Sequence, residues 1–139
     1  MGYPIVRAEG YVLRVASKTW VDHVFDMAIY YTNLCRKWEA GQAAILVHKV
    51  EHGDAIIGYG IVESACERER LPEEEKGKHL EHGWKKAITF KYVVRFSRPL
   101  PVRETFLGDP KYRGRYCHGL ELSRRQVDTL ISQAESLQH

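Results

Sequence analysis

"HKVEHGDAIIGYGIVESA", residues 48–65, is the stretch on which the fold turns. Two apolar runs flank the four residues Glu51-His52-Gly53-Asp54, so the segment reads as a β-hairpin. The second run carries Gly58 and Gly60 two positions apart, and a glycine weakens a strand by roughly 0.5–1 kcal/mol. Strand side chains alternate faces, which puts both glycines on one side and Tyr59 on the other. Either the pair leaves a shallow floor for a flat ring, or it admits a close-packed helix and relieves the coiling of a tight barrel strand.

Outward from the hairpin, "AAILVHKV" (43–50) and "AIIGYGIVESA" (55–65) are apolar on both faces near their centres, as in strands covered on two sides. Downstream, "CERERLPEEEKGKHLEHG" (66–83) has little to bury and reads as a long charged loop. "KAITFKYVVRF" (86–96) alternates, with Ile88, Phe90, Tyr92, Val94 and Phe96 inward and Thr89, Lys91 and Arg95 outward. The prolines of "SRPLPVRE" should end that strand. "GRYCHGLEL" (114–122) is a last strand candidate broken by Gly119. Ser123 and Gln126 then form a capping box ahead of a helix striped by Val127, Leu130, Ile131, Ala134 and Leu137. Upstream, "EGYVLRV" (9–15) reads as a strand. "SKTWVDHVFDMAIYYTNLCRKW" (17–38) switches to helical period, capped by Ser17 or Thr19 and ending near Tyr31. Strands outnumber helices and the connections are short. The expectation is one α+β domain over 1–139, a small, mixed, mostly antiparallel β-barrel with flanking helices.

A hydrophobic fraction of 44% and a charged fraction of 28% are those of a water-soluble chain. No apolar run approaches the ~20 residues of a membrane span and no signal-peptide pattern opens the chain, which implies a cytoplasmic protein without a membrane partner. Cys35, Cys66 and Cys117 are odd in number and far apart, so they read as buried free thiols. The net charge of +3 is unevenly spread: −3 over residues 1–81, +7 over 82–115 and −1 over the remainder. Such asymmetry suits an anionic partner held on one side.

No catalytic signature is present. His79 and His82 sit three positions apart in the charged loop (His-x2-His), and with Cys66 they fall short of the four ligands a structural zinc needs, so no metal or cofactor is called for. His48 lies mid-strand among apolar neighbours, as a packing residue or a ligand contact. Trp20, Trp38 and Trp84, with Tyr30, Tyr31 and Tyr59, supply aromatic faces. Lys91 and Arg95, with Lys111, Arg113 and Arg115, supply a basic track. Stacking plus a basic track is how splayed single-stranded bases are held.

The order of these motifs resembles the branch of the PUA-like superfamily that contains the EVE, DUF55-type and YTH domains. The likeness rests on "SKTWVDHVFDMA", "YYTNLCRKW", "GQAAILVHKV" and "IIGYGIVESA", and on the ending "YRGRYCHGLELSRRQVDTLI". It implies a β-barrel with a helix against it and a pocket for a nucleic acid or a modified nucleobase. By position, Ser17 and Trp20 match the helix-opening segment, Thr32 and Asn33 the polar pair after it, and Gly58 to Gly60 the hairpin strand. The chain has Gly41-Gln42 where the family often has Gly-Asp, and no complete YTH-type aromatic cage is evident.

The resulting expectation is a non-catalytic RNA-binding or modified-nucleobase-binding domain. Ser17, Trp20, Thr32, Asn33, Trp38, His48, Gly58, Tyr59, Gly60 and Trp84 would surround the base. Lys91, Arg95, Lys111, Arg113 and Arg115 would hold phosphates. Two alternatives stay open: a small hydrolase acting on nucleotides or nucleic acid with His48 or His118 as general base, and a protein-interaction module.

Overall fold

A computed structural model describes residues 9–32, 38–67, 86–112 and 117–138. Asn33, Trp84, Arg113 and Arg115, and the charged stretch from 68 onward, lie outside the described residues.

The elements follow in the order β1 (Gly10–Arg14), α1 (Lys18–Met27), β2 (Ile29–Thr32), β3 (Ala43–Val50), β4 (Gly53–Glu67), β5 (Lys86–Pro101), β6 (Glu121–Leu122) and α2 (Arg124–Leu137), with three short 3-10 turns between β5 and β6. They form one six-stranded sheet of order β2-β5-β4-β3-β1-β6, mixed and mostly antiparallel, as the sequence implied. The exception is β1 beside β3, paired in parallel from Gly10 opposite Ala43 to Arg14 opposite Val47. A parallel pair needs a crossover, and α1 with β2 supplies it. The sheet curls until its far edge approaches β1, where the Tyr30 hydroxyl on β2 donates to the Arg14 carbonyl at 2.7 Å. Among the described residues no helix is long and apolar enough to cross a membrane.

Each face of the sheet is buried under one helix. Leu13, Leu46, Ile57 and Ile88 pack with Val21 and Val24 of α1. Val12, Ile45, Val47 and Ile56 pack with Val127, Leu130 and Ala134 of α2. Neighbouring residues of β1 and β3 thus serve opposite cores, which is why these runs are apolar throughout.

Ser17 caps α1, its hydroxyl accepting from the Trp20 amide, and the Ser123–Gln126 capping box opens α2. The first helix stops at Met27, short of Tyr31. Ala28 takes a left-handed conformation (φ 55°), and the β-branched and aromatic "IYYT" enters the sheet as β2, pairing Ile29–Thr32 with Lys86–Thr89. The hairpin is tighter than its sequence suggests. Val50 pairs with Gly53 across only Glu51 and His52, and Gly53 holds φ 120°, a value L side chains rarely adopt.

The largest departure is β5, which runs on through both prolines to Pro101. Arg95 lies opposite Gly58 and Leu100 opposite Ile56, so β5 spends Phe96–Pro99 where β4 spends Ile57 alone. Pro99 falls in that bulge, where no ladder bond needs its missing N–H. The freed backbone at Arg98 is met by the Gln138 side chain at the end of α2, which accepts from the Arg98 amide (2.9 Å) and donates to its carbonyl (2.8 Å).

A second shift breaks the expected alternation. Ile61 pairs with Tyr92 and Val62 with Phe90, which leaves Lys91 without a β4 partner. Phe90 and Val93 therefore pack under α1 whereas Val94 and Phe96 pack under α2. Tyr92 is 49% exposed rather than inward.

Candidate nucleic-acid interface

The β5 bulge opens a cleft. Where β4 and β5 part company, Ile57, Phe96, Ser97 and Pro99 line a concavity of about 590 Å³, and Val21 of α1 completes its apolar surface. That volume lies within the range of small-molecule sites. Lys18 from the start of α1, Lys49 from the end of β3 and Arg95 from β5 bring three cations to it, and His48 lines it beside them. Lys18 and Lys49 are exposed. Arg95 is steadied in place, its guanidinium 3.2 Å from the Asp22 carboxylate and 5.1 Å from the centre of the Phe25 ring. Both partners of that ion pair are half exposed, so the pair orients Arg95 more than it stabilises the fold. His48 is held by a 2.7 Å hydrogen bond to the Val15 carbonyl.

A second, smaller concavity lies between α1 and β2, with Trp20 in its wall. About 130 Å³ in volume, it is bounded by Trp20, His23, Tyr30, Tyr31 and Arg14. Trp20 and Tyr31 meet nearly perpendicular at 6.2 Å, and His23 lies 5.2 Å from Trp20 and 5.4 Å from Tyr31. Edge-to-face rings of this kind are ordinary aromatic packing. Burial pushes the Tyr30 phenol far above its ordinary value, so the hydroxyl stays a donor to Arg14.

The structure thus brings together His48 and Arg95 from the sequence-picked residues and separates the other described ones. Trp20 belongs to the aromatic pocket. Tyr59 lies on the α2 face against Phe96 (5.9 Å), its phenol pushed up by burial and by the nearby Tyr92 and Glu135. Thr32 is buried at the end of β2, and Trp38 packs edge-on to Tyr11 at 4.8 Å. Ser17 spends its hydroxyl on the helix cap.

Of the two readings of Gly58 and Gly60, the geometry favours close packing within the chain. A Cβ on Gly58 would fall 2.2 Å from the Val94 carbonyl oxygen and 2.7 Å from Phe25, and one on Gly60 would fall 2.8 Å from the Phe90 ring. The space they vacate is filled by this chain's own aromatics. Lys91 and Arg95 do not form one row, because the register shift at Lys91 intervenes. Lys111 sits in a 3-10 turn rather than an extended segment, its amide bound to Asp109 and its ammonium 5.0 Å from the Tyr112 ring centre.

Two cations of the cleft, Lys18 and Lys49, escaped the sequence reading. The signal for Lys49 was present: the apolar run of β3 turns polar at "HK", where cover by the rest of the fold ends. Of the other candidates for acid–base work, His118 accepts from the Arg14 amide through Nδ1 at 3.0 Å, which engages that lone pair. Cys117 is a buried free thiol. Burial pushes it up, Arg14 opposes this and Asp54 adds to it, so it lacks the thiolate character of a nucleophile. Among the described residues no group of histidine, cysteine and carboxylate side chains could hold a metal ion.

No protein-family model and no curated protein matches this sequence. Solved structures do match in shape. A serine-to-alanine variant of the ASCH protein of Zymomonas mobilis aligns over 91% of this chain and 96% of its own, with a TM-score of 0.63 and 10% identity. The unsubstituted ASCH protein aligns over 89% and 94%, with a TM-score of 0.59 and 11% identity. ASCH domains are PUA-like barrels, and that is the fold of this chain.

Proposed function

We propose that this PUA-like domain binds single-stranded RNA in the cleft at the β5 bulge. The observation that carries the reading is the convergence of Lys18, Lys49 and Arg95, from three separate elements, on a concavity with an apolar floor. Phosphates would lie along the cations and a base would rest against Ile57 and Phe96. Lys91 and Lys111 lie away from this cleft and would add long-range attraction only. The PUA-like fold shared with ASCH domains supports a nucleic-acid partner by analogy of fold. A cytoplasmic location goes with the same reading.

The finer reading, a modified nucleobase held as in EVE, DUF55-type or YTH domains, would fall to the Trp20–His23–Tyr31 pocket. At about 130 Å³ that pocket lies below the size of ordinary ligand sites, so it ranks second.

A salt titration of binding to a fluorescein-labelled 12-nucleotide RNA tests the primary reading. Each phosphate contact contributes about 0.7 to the slope of log affinity against log salt. Replacing Lys18, Lys49 and Arg95 together by Ala should therefore flatten the slope by about 2 and weaken binding about a hundredfold at 0.1 M salt. An unchanged slope would remove the cleft from the phosphate path.

A further inference from the structure

The one hydrogen bond recorded for His48 fixes its chemistry. The Val15 carbonyl only accepts, so the ring nitrogen 2.7 Å away, Nδ1, carries the proton. A neutral ring protonated on Nδ1 has its lone pair on Nε2. Among the described residues Nε2 has no hydrogen-bond partner, and it is not one of the buried polar atoms left unsatisfied, so solvent reaches it. The neutral His48 ring thus brings an acceptor to a cleft whose charged side chains, Lys18, Lys49 and Arg95, only donate. Among the residues lining it, Ser97 alone carries a side-chain oxygen, and its hydroxyl donates to Gln138 Oε1 at 3.2 Å, outside the row of cations.

A sugar–phosphate backbone presents acceptors at every phosphate and, in DNA, no donor. RNA adds one per nucleotide, the 2′-hydroxyl. Val15, which holds the imidazole, precedes Lys18 by three residues, so the acceptor stands close to the cations where a strand's sugars and phosphates would run.

We propose that His48 reads the ribose: Nε2 accepts from a 2′-hydroxyl of the strand whose phosphates the three cations hold, which makes the cleft selective for RNA over DNA. This rests on the nucleic-acid reading above, and the two fail in different ways.

The test compares fluorescein-labelled oligo(U) and oligo(dU) of 12 nucleotides, which share the same base, at one salt concentration. One neutral hydrogen bond corresponds to about a three- to tenfold preference, and the wild-type chain should favour oligo(U) by that factor. His48→Asn keeps an amide N–H near the Nδ1 position and removes the acceptor at Nε2, so its preference should fall to about one with the salt slope intact. His48→Gln restores a carbonyl near Nε2 and should recover part of it, with thermal melts reporting the fold of each variant. Equal binding of both oligonucleotides by the wild type, or an undiminished preference in His48→Asn, overturns the proposal and leaves the RNA reading standing. A variant that keeps the preference but changes its ranking of oligo(U) against oligo(C) would assign Nε2 to a base edge instead, which also overturns it. Failure of both oligonucleotides to bind would overturn both readings together.

Discussion

The two concavities beside α1 share that helix and little else. The cleft at the β5 bulge is open and cationic, built where two strands separate by a register break. The pocket behind Trp20 is small and aromatic, built where rings meet across α1 and β2. Aromatic side chains in a basic protein invite the idea of stacked bases, yet here the rings chiefly stack on one another while the cations gather elsewhere. The lesson concerns how a ring is occupied. An aromatic whose faces and edges are met by its own chain contributes to stability, and a ligand can claim only the surface that is left.

Both concavities depend on how α1 is seated, and Gly58 sets that seat. An alanine methyl at this position would press on the Val94 carbonyl, a backbone atom that cannot swing aside, and on the Phe25 ring of α1. Gly58→Ala should cost about 3 kcal/mol of unfolding free energy and disturb Arg95, which rests on Phe25. RNA affinity should fall with stability in this variant, measured by urea denaturation and by binding to the labelled RNA. A variant as stable as the wild type would mean that α1 does not lie against β4 here.

Trp20→Ala separates the two sites where Gly58→Ala joins them. Trp20 is half-buried and packs with Tyr31 and His23, so its loss should destabilise the chain by about 2 kcal/mol. RNA affinity should stay within about twofold, because no face of this ring borders the cleft. A fall of about 1–3 kcal/mol in binding, the value of one stacked base, would move the base into the aromatic pocket and promote the modified-nucleobase reading.

What the sequence made legible divides along the same line. Local signals were read well: the hairpin, the alternation at Thr89–Lys91, the Ser17 cap and the Ser123–Gln126 capping box all carry their cause within a few residues. The helix end was misplaced because a ten-residue helix passes into "IYYT" through a single left-handed alanine, which has no strong sequence mark. The bulge was illegible for a deeper reason. "SRPLP" breaks a strand by its own propensity, and only the Gln138 side chain, 40 residues away, supplies the bonds that let the ladder resume. The cleft inherits that difficulty. His48 and Arg95 were each identifiable, and Lys49 follows His48 in the chain, but bringing them together with Lys18 takes α1 packed on the sheet. The two glycines were legible as room for a close-packed helix, which Gly58 gives to Phe25 of α1, but not as room for Phe90, which Gly60 faces across the strands.

The smallest expected effect lies at the wall of the aromatic pocket. Tyr30 donates to the Arg14 carbonyl and thereby ties the far edge of the sheet to β1. Tyr30→Phe keeps the ring and removes the bond, which should cost about 1 kcal/mol at pH 7. The pH dependence distinguishes this loss from a simple packing defect. Burial holds the Tyr30 phenol above its ordinary value of 10.0, so the folded chain keeps a proton that the unfolded chain releases. The stability tied to this group is therefore fully present below about pH 10 and declines as pH rises beyond it. Tyr59 is shifted in the same direction and remains in both proteins, so it cancels in the difference. The gap between wild type and Tyr30→Phe should narrow between pH 9 and 11 and then reverse, as read from urea midpoints across that range. A gap that stays constant would show that Tyr30 ionises as freely in the folded chain as in the unfolded one, and that the hydroxyl does not close the barrel.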